Sequence, residues 1–167
     1  IHISNDNGAS FIYHERQDIN AVNDMTLIND SIVLIAGGES FYTGGSTLLN
    51  INNLAYQTTD LEQSLACQYF FDAQNGVVGA YGTIYTTNNG GQTLNATNAT
   101  GDYFKDIAFN DNGKGIAIGY QGKIMQSNNY GATWKKIGLK GSFFTTKGSL
   151  ESVDICGNTV IVCGQNG

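Results

Sequence analysis

The side chains best placed to contact a ligand lie in one short stretch, Gly37-Gly38-Glu39-Ser40-Phe41-Tyr42-Thr43-Gly44-Gly45. It carries a carboxylate and two aromatics between glycine pairs. Tyr81, Tyr120, Phe143 and Phe144 are further aromatics beside glycine-containing turns. An aromatic face bordered by polar groups stacks a sugar ring or anchors a protein side chain. Glu39, Phe41, Tyr42, Tyr81, Tyr120, Phe143 and Phe144 are therefore the candidate ligand-binding residues. Tyr42, Tyr81 and Tyr120 equally suit the wall of a central channel, and Phe143 and Phe144 suit a fold-back over a sheet edge.

Catalytic chemistry is harder to assemble. Hydrolysis by two carboxyl groups needs them roughly 5 to 10 Å apart, and the spacing of Asp60, Glu62, Asp102 and Asp106 singles out no pair. A solvated acidic rim accounts for them. No Ser-His-Asp set or phosphate loop is present. His2 and His14 stand alone, and Cys67, Cys156 and Cys163 form no CxxC and no ligand spacing with histidine. The cysteines sit among apolar residues, as packing thiols do. The reading is a chain with no catalytic residue, no metal site and no cofactor.

Composition narrows the partners. The net charge is −6, with Arg16 as its one arginine and Lys135, Lys136 and Lys140 as its one basic cluster. Phosphate backbones and anionic membrane surfaces both require clustered cations, so neither nucleic acid nor a lipid surface is expected. The longest purely apolar run, Ile32 to Ala36, is far shorter than a membrane span. Hydrophobic residues make up 41% of the 167 positions, enough to fill a core, while only 13% are charged. Polarity comes instead from 19 Asn, 22 Gly and many Ser and Thr, with no proline.

The elements that position these residues emerge from a repeat. Ser4-Asn5-Asp6-Asn7-Gly8-Ala9-Ser10-Phe11, Thr87-Asn88-Asn89-Gly90-Gly91-Gln92-Thr93-Leu94 and Ser127-Asn128-Asn129-Tyr130-Gly131-Ala132-Thr133-Trp134 share one pattern. A hydroxyl is followed by Asp or Asn, then Gly, then Ser or Thr, then a large apolar residue. A worn copy begins at Asn50, where the carboxamide and the spacing survive. The starts at 4, 50, 87 and 127 are separated by 46, 37 and 40 residues, the length of one four-stranded propeller blade. In the third copy, strand A lies near Asp106–Phe109, B near Gly115–Gly119, C near Lys123–Ser127 and D near Thr133–Ile137. Asn, Asp and Gly supply the tight turns. No sustained 3.6-residue period appears, and a helical turn is expected only within Glu62–Cys67. Each box is expected to staple its C–D hairpin through the hydroxyl and Asx side chains, with Gly at positive φ. Phe11, Leu94 and Trp134 are expected to fill the space between blades.

At these residues the sequence resembles Asp-box repeats, also called bacterial neuraminidase repeats. It looks most like the repeats of photosystem II stability/assembly factor-like propellers, most strongly over 66–137. The boxes assigned are Ser4, Asp6, Gly8 and Phe11, then Asn89, Gly91 and Thr93, then Ser127, Asn129, Gly131 and Trp134. Asn89 and Asn129 depart from the acidic pattern that Asp6 keeps. The resemblance implies an all-β propeller domain over 1–167, or part of one, with about four blades' worth of repeats. The chain opens with strands C and D and closes with strands A and B. This fits either a small ring closed by both termini or, as the usual size of such propellers favours, a piece of a larger one with further blades from the same or another chain. A sialidase-like site would, by resemblance, need three arginines, and Arg16 stands alone.

Topology places the boxes and A–B turns at one end, and the aromatic candidates at the other, among the B–C and D–A loops. The expected function is a non-catalytic, secreted or cell-surface binding module for a protein or glycan ligand. The alternatives are part of a glycoside hydrolase propeller with its catalytic residues on other blades, and an assembly factor holding a partner polypeptide. Asn95-Ala96-Thr97, Asn98-Ala99-Thr100 and Asn29-Asp30-Ser31 would be glycosylation acceptors in a eukaryotic secretory route.

Overall fold

A computed structural model describes residues 1–16, 21–101, 103–138 and 148–165. They form antiparallel meanders in which every strand pairs with its neighbour in sequence. Three meanders have four strands each. The first comprises β3 (Val22–Asn29), β4 (Ile32–Ser40), β5 (Thr43–Asn50) and β6 (Tyr56–Asp60). In the second, β7 (Leu65–Phe70), β8 (Gly76–Ala80), β9 (Ile84–Thr87) and β10 (Asn95–Ala96) follow the same order. The third is β11 (Phe104–Phe109), β12 (Gly115–Gly119), β13 (Ile124–Ser127) and β14 (Lys135–Ile137), matching the strands expected from its repeat. Two half-blades flank them as separate two-stranded sheets: β1 (His2–Ile3) with β2 (Ile12–Tyr13), and β15 (Leu150–Cys156) with β16 (Thr159–Gly164).

The architecture is all-β, built of four-stranded blades whose innermost strands pack in series, β3 on β7, β7 on β11 and β11 on β15. The short apolar runs of β8 and β12 are buried throughout, as strands covered on both faces must be. Between the second and third full blades, Cys67, Val77 and Ile84 meet Phe104, Ile107, Phe109 and Trp134. Polar side chains stitch the inner strands. An Asp24 oxygen accepts the Gln68 amide at 2.9 Å, and an Asp106 oxygen accepts the Val153 amide at 2.8 Å.

The turns follow from their Asx residues. Each A–B turn of a full blade opens on one whose side-chain oxygen takes two backbone N–H groups: Asn29 from Ser31 and Ile32, Asp72 from Gln74 and Asn75, Asn110 from Asn112 and Lys114. The boxes close the C–D turns at the same end, where Gly90 and Tyr130 donate to the carbonyls of Gln74 and Gly113 in the neighbouring A–B turns.

Several expectations are corrected. Residues 62–64 form no helical turn and β7 begins at Leu65. The one helical turn among the described residues is a 3-10 turn at Tyr120–Gly122, where Gln121 has φ +56°. The enlarged B–C segment is not a loop. β4 and β5 extend to a Ser40–Thr43 pair, leaving Phe41 and Tyr42 as a two-residue tip. Phe11 fills no interblade space. It is 61% exposed where its counterpart Trp134 is 4% exposed, because no inner strands complete the β1–β2 sheet. Leu94 is half-buried against the core between the first two full blades. Of the thiols expected to pack, only Cys67 is buried, while Cys156 and Cys163 lie exposed on the uncovered terminal sheet.

Candidate functional site

The box residues hydrogen-bond within their own turns. The Thr87 hydroxyl donates to Asn89 Oδ1 and accepts the amide of Gly91, and Asn89 Oδ1 accepts the Thr93 amide. Ser127, Asn129, Gly131 and Thr133 repeat these bonds at 3.0 Å each. In the first box, Asp6 takes the Ser10 amide and hydroxyl at 2.9 and 2.6 Å and the Ser4 hydroxyl at 2.7 Å. These donors, the Ser10 hydroxyl foremost, hold the exposed carboxyl down at about 2. Gly8, Gly91 and Gly131 all sit at φ between +81° and +86°, where a Cβ is strained. The worn copy turns differently. Asn50 takes the amides of Asn52 and Asn53, Asn53 takes that of Ala55, and Leu54 stands in the left-handed region where the others have glycine. The hydroxyl and Asx side chains that close these turns are thus occupied within them.

The aromatic candidates gather at the opposite end. Phe41 stacks on Tyr81 with ring centres 4.8 Å apart, and Tyr42 meets the same ring edge-on at 5.2 Å. Tyr103 continues the row, 5.7 Å from Phe41 and 5.8 Å from Tyr120. Lys105 stands over Tyr120 and pairs with Glu151 at 2.6 Å. The result is an aromatic shelf drawn from three consecutive blades. Tyr42 is 68% exposed at one end, and Tyr81, Tyr103 and Tyr120 are half-buried. Glu39 is exposed near the hairpin tip. Phe143, Phe144 and Asp102 lie outside the described residues.

Two forces hold the shelf. Asn23 Nδ2 donates to the Leu65 carbonyl at 2.7 Å and to the Ser64 hydroxyl at 3.1 Å, and Ser64 Oγ lies 3.2 Å from the Tyr103 hydroxyl, so three blades share one polar network. A bridge between Tyr81 and Tyr103 fixes their backbones side by side. Sequence reasoning missed Tyr103. The available signal was its position directly before strand A, matching Ser64 in the preceding blade. A groove of about 590 Å³ runs from Tyr42 along the first full blade, past Ile35, Thr47 and Thr58 to Asp60 and Glu62.

Other candidates are engaged elsewhere. Both Asp106 oxygens accept backbone amides, from Ile107 and Val153. Arg16 donates to the Leu54 carbonyl and lies over the Tyr56 ring, at the far end of the first full blade from the shelf. Burial drives the Cys67 thiol well above its ordinary range, so it stays a packing group. Asn98 uses its carboxamide to clamp Trp134, donating to its carbonyl and accepting its amide. Among the described residues, no group of three His, Cys, Asp or Glu is placed to hold a metal, and no helix is long and apolar enough to cross a membrane.

No protein-family model and no curated protein matches the sequence. Solved structures do match it. An ancestral GH74 enzyme superposes with a TM-score of 0.67 at 15% identity, over 84% of this chain and 21% of the enzyme. YCF48 bound to D1 peptide gives 0.60 at 14%, over 80% of this chain and 44% of YCF48. The computationally designed Ika4 protein gives 0.67 at 16%, over 92% and 89% of the two chains. The chain thus spans less than half the length of the GH74 enzyme and of YCF48. These neighbours are β-propellers, and this chain has the β-propeller fold.

Proposed function

We propose that the chain is a non-catalytic binding module of a secreted or cell-surface protein, built on Asp-box propeller repeats, whose aromatic shelf receives a protein or glycan ligand. The observation that carries this reading is the row Tyr42–Tyr81–Phe41–Tyr103–Tyr120. It is a set of amphipathic rings pre-positioned by one backbone bridge and a polar network at the loop end of the blades, costing little ordering on binding. The Asp-box assignment rests on the shared staples, and the surface location on the Asn-, Ser- and Thr-rich, charge-poor composition. Binding rather than catalysis is favoured because Asp106 and Arg16 are spent on backbone groups.

A peptide ligand, and with it an assembly-factor role, gains weight from YCF48, solved with a peptide bound. The GH74 neighbour supports a second reading, a propeller piece of a glycoside hydrolase with catalytic groups outside this chain. Parallel glycan and peptide arrays decide between the ligand classes. Tyr42→Ala then tests the site. Binding of the detected ligand falls about tenfold or more, with the melting temperature unchanged because Tyr42 is exposed. Unchanged affinity would refute the shelf as the site.

A further inference from the structure

We propose that the box end of the molecule carries a second binding site, a groove between the second and third full blades that receives a neutral saccharide. It lies at the opposite end from the aromatic shelf and is independent of what the shelf binds. Every segment that forms it belongs to those two blades. They are the A–B turn of the second blade, its β9 and β10 strands, and the box of the third blade.

The groove encloses about 430 Å³, within the range of small-ligand sites. Its apolar wall is Phe71 and Tyr130, with ring centres 5.2 Å apart and planes nearly perpendicular. Tyr130 is 52% exposed, although its ring also rests on Gly113, where an added Cβ would lie 2.5 Å from it. The turn itself does not select a tyrosine. Asn7 and Gly90 hold the same position in the other boxes, and all three have φ between +55° and +65°, where a bulky side chain is disfavoured. With Gly90 there, the junction of the first and second blades has no ring at that place.

The polar wall is unspent. Asn88 and Asn95 line the groove, are exposed, and give neither carboxamide to another described residue. Asn75 donates its amide group to Asp72 and keeps its own oxygen open. Asp72 Oδ2 accepts a single bond, from Asn75 at 2.9 Å. The Asn75 side chain foremost, then the backbone amides of Gln74 and Asn75, hold the Asp72 carboxyl below its ordinary value. It is therefore a charged acceptor at neutral pH.

A carboxamide offers a donor and an acceptor side by side, which matches two neighbouring hydroxyls of a sugar ring. The C–H face of such a ring packs on an aromatic side chain. The lining holds one charge, the Asp72 carboxylate, and no lysine, arginine or histidine. That selects against phosphorylated, sulfated and uronic acid sugars, whose anionic groups would meet a like charge with no cation to pair them. The Asp72 and Asn129 turns on either side are already stapled, so little ordering is needed on binding.

The test is an NMR titration of the intact 167-residue chain with cellobiose, maltose, lactose and chitobiose, and with glucuronic acid as the charged comparison. At least one neutral sugar should give saturating shifts of the Asn88 and Asn95 side-chain amides and the Tyr130 ring, and glucuronic acid none. Tyr130→Gly puts the second box's own residue into the turn, so the fold is kept while that binding weakens at least tenfold. Asn88→Ala, at an exposed side chain with no bond to lose, weakens it similarly with an unchanged melting temperature. No shift with any neutral sugar, or an equal response to glucuronic acid, would overturn the proposal. So would affinity unchanged in both variants. Shifts confined to Tyr42 and Tyr81 would overturn this site while supporting the shelf.

Discussion

Asp6 is the one acid at the Asx position of the boxes, which otherwise use asparagine. Three hydrogen bonds converge on its carboxylate, twice from Ser10 and once from Ser4, and hold it at about 2. An unperturbed aspartate titrates near 3.8. Because the folded value lies below the unfolded one, the interaction is fully present above about pH 4 and disappears as pH falls through 2. The Ser10 amide resonance should therefore shift with a midpoint near 2 in an NMR titration. Asn89 and Asn129 bind the equivalent groups without titrating, so the amides of Thr93 and Thr133 should show no such step. A midpoint near 4 for Ser10 would mean that the staple does not form in solution.

At the scale of the element, the same staple differs in weight with its surroundings. Ser127 Oγ is buried and is the acceptor for the Gly131 amide at 3.0 Å. Ser127→Ala leaves that buried donor without a partner, at a cost of about 1–3 kcal/mol, whereas Ser4→Ala, at a half-buried residue whose hydrogen bonds are exposed, should cost less than about 1 kcal/mol because water replaces the hydroxyl. Urea denaturation of the two variants measures the contrast, and equal losses would contradict it. Turn and strand were legible in the residues because both are local. A hydroxyl two positions before an Asx, with Gly at the left-handed position, needs no distant partner to act. What was not legible depends on the next blade. Phe11 reads like Trp134 but is exposed, and Cys163 reads like a core thiol but is exposed too. The shelf was half-legible. Tyr81 and Tyr120 share a position in the repeat, but Tyr103 joins them only through a backbone bridge between blades. Phe41 and Tyr42 read as a loop because glycines flank them, although those glycines sit within extended strands.

Across the whole molecule, cohesion comes from how inner strands meet. Asp24 lies in that seam. Burial raises its carboxyl above the ordinary value and the nearby Asp106 adds to this, outweighing the amides of Met25 and Gln68 that favour the charge. A raised folded value means that ionisation costs stability. The penalty is absent below the unfolded carboxylate range, grows as pH rises through it and is complete above the folded value. Asp24→Asn keeps an oxygen for the Gln68 amide, so it should raise the melting temperature at pH 7 and leave it unchanged near pH 3. A lower melting temperature at pH 7 would mean that the charge itself holds the seam.

The meander connectivity has a kinetic side. Every ladder joins strands adjacent in sequence, and the inner strands pack blade on consecutive blade. Such a chain behaves as a one-dimensional array, opening from its ends, where a unit has a single neighbour. Backbone amides of β8 and β12 should exchange with deuterium most slowly, and those of β1, β2 and β16 fastest.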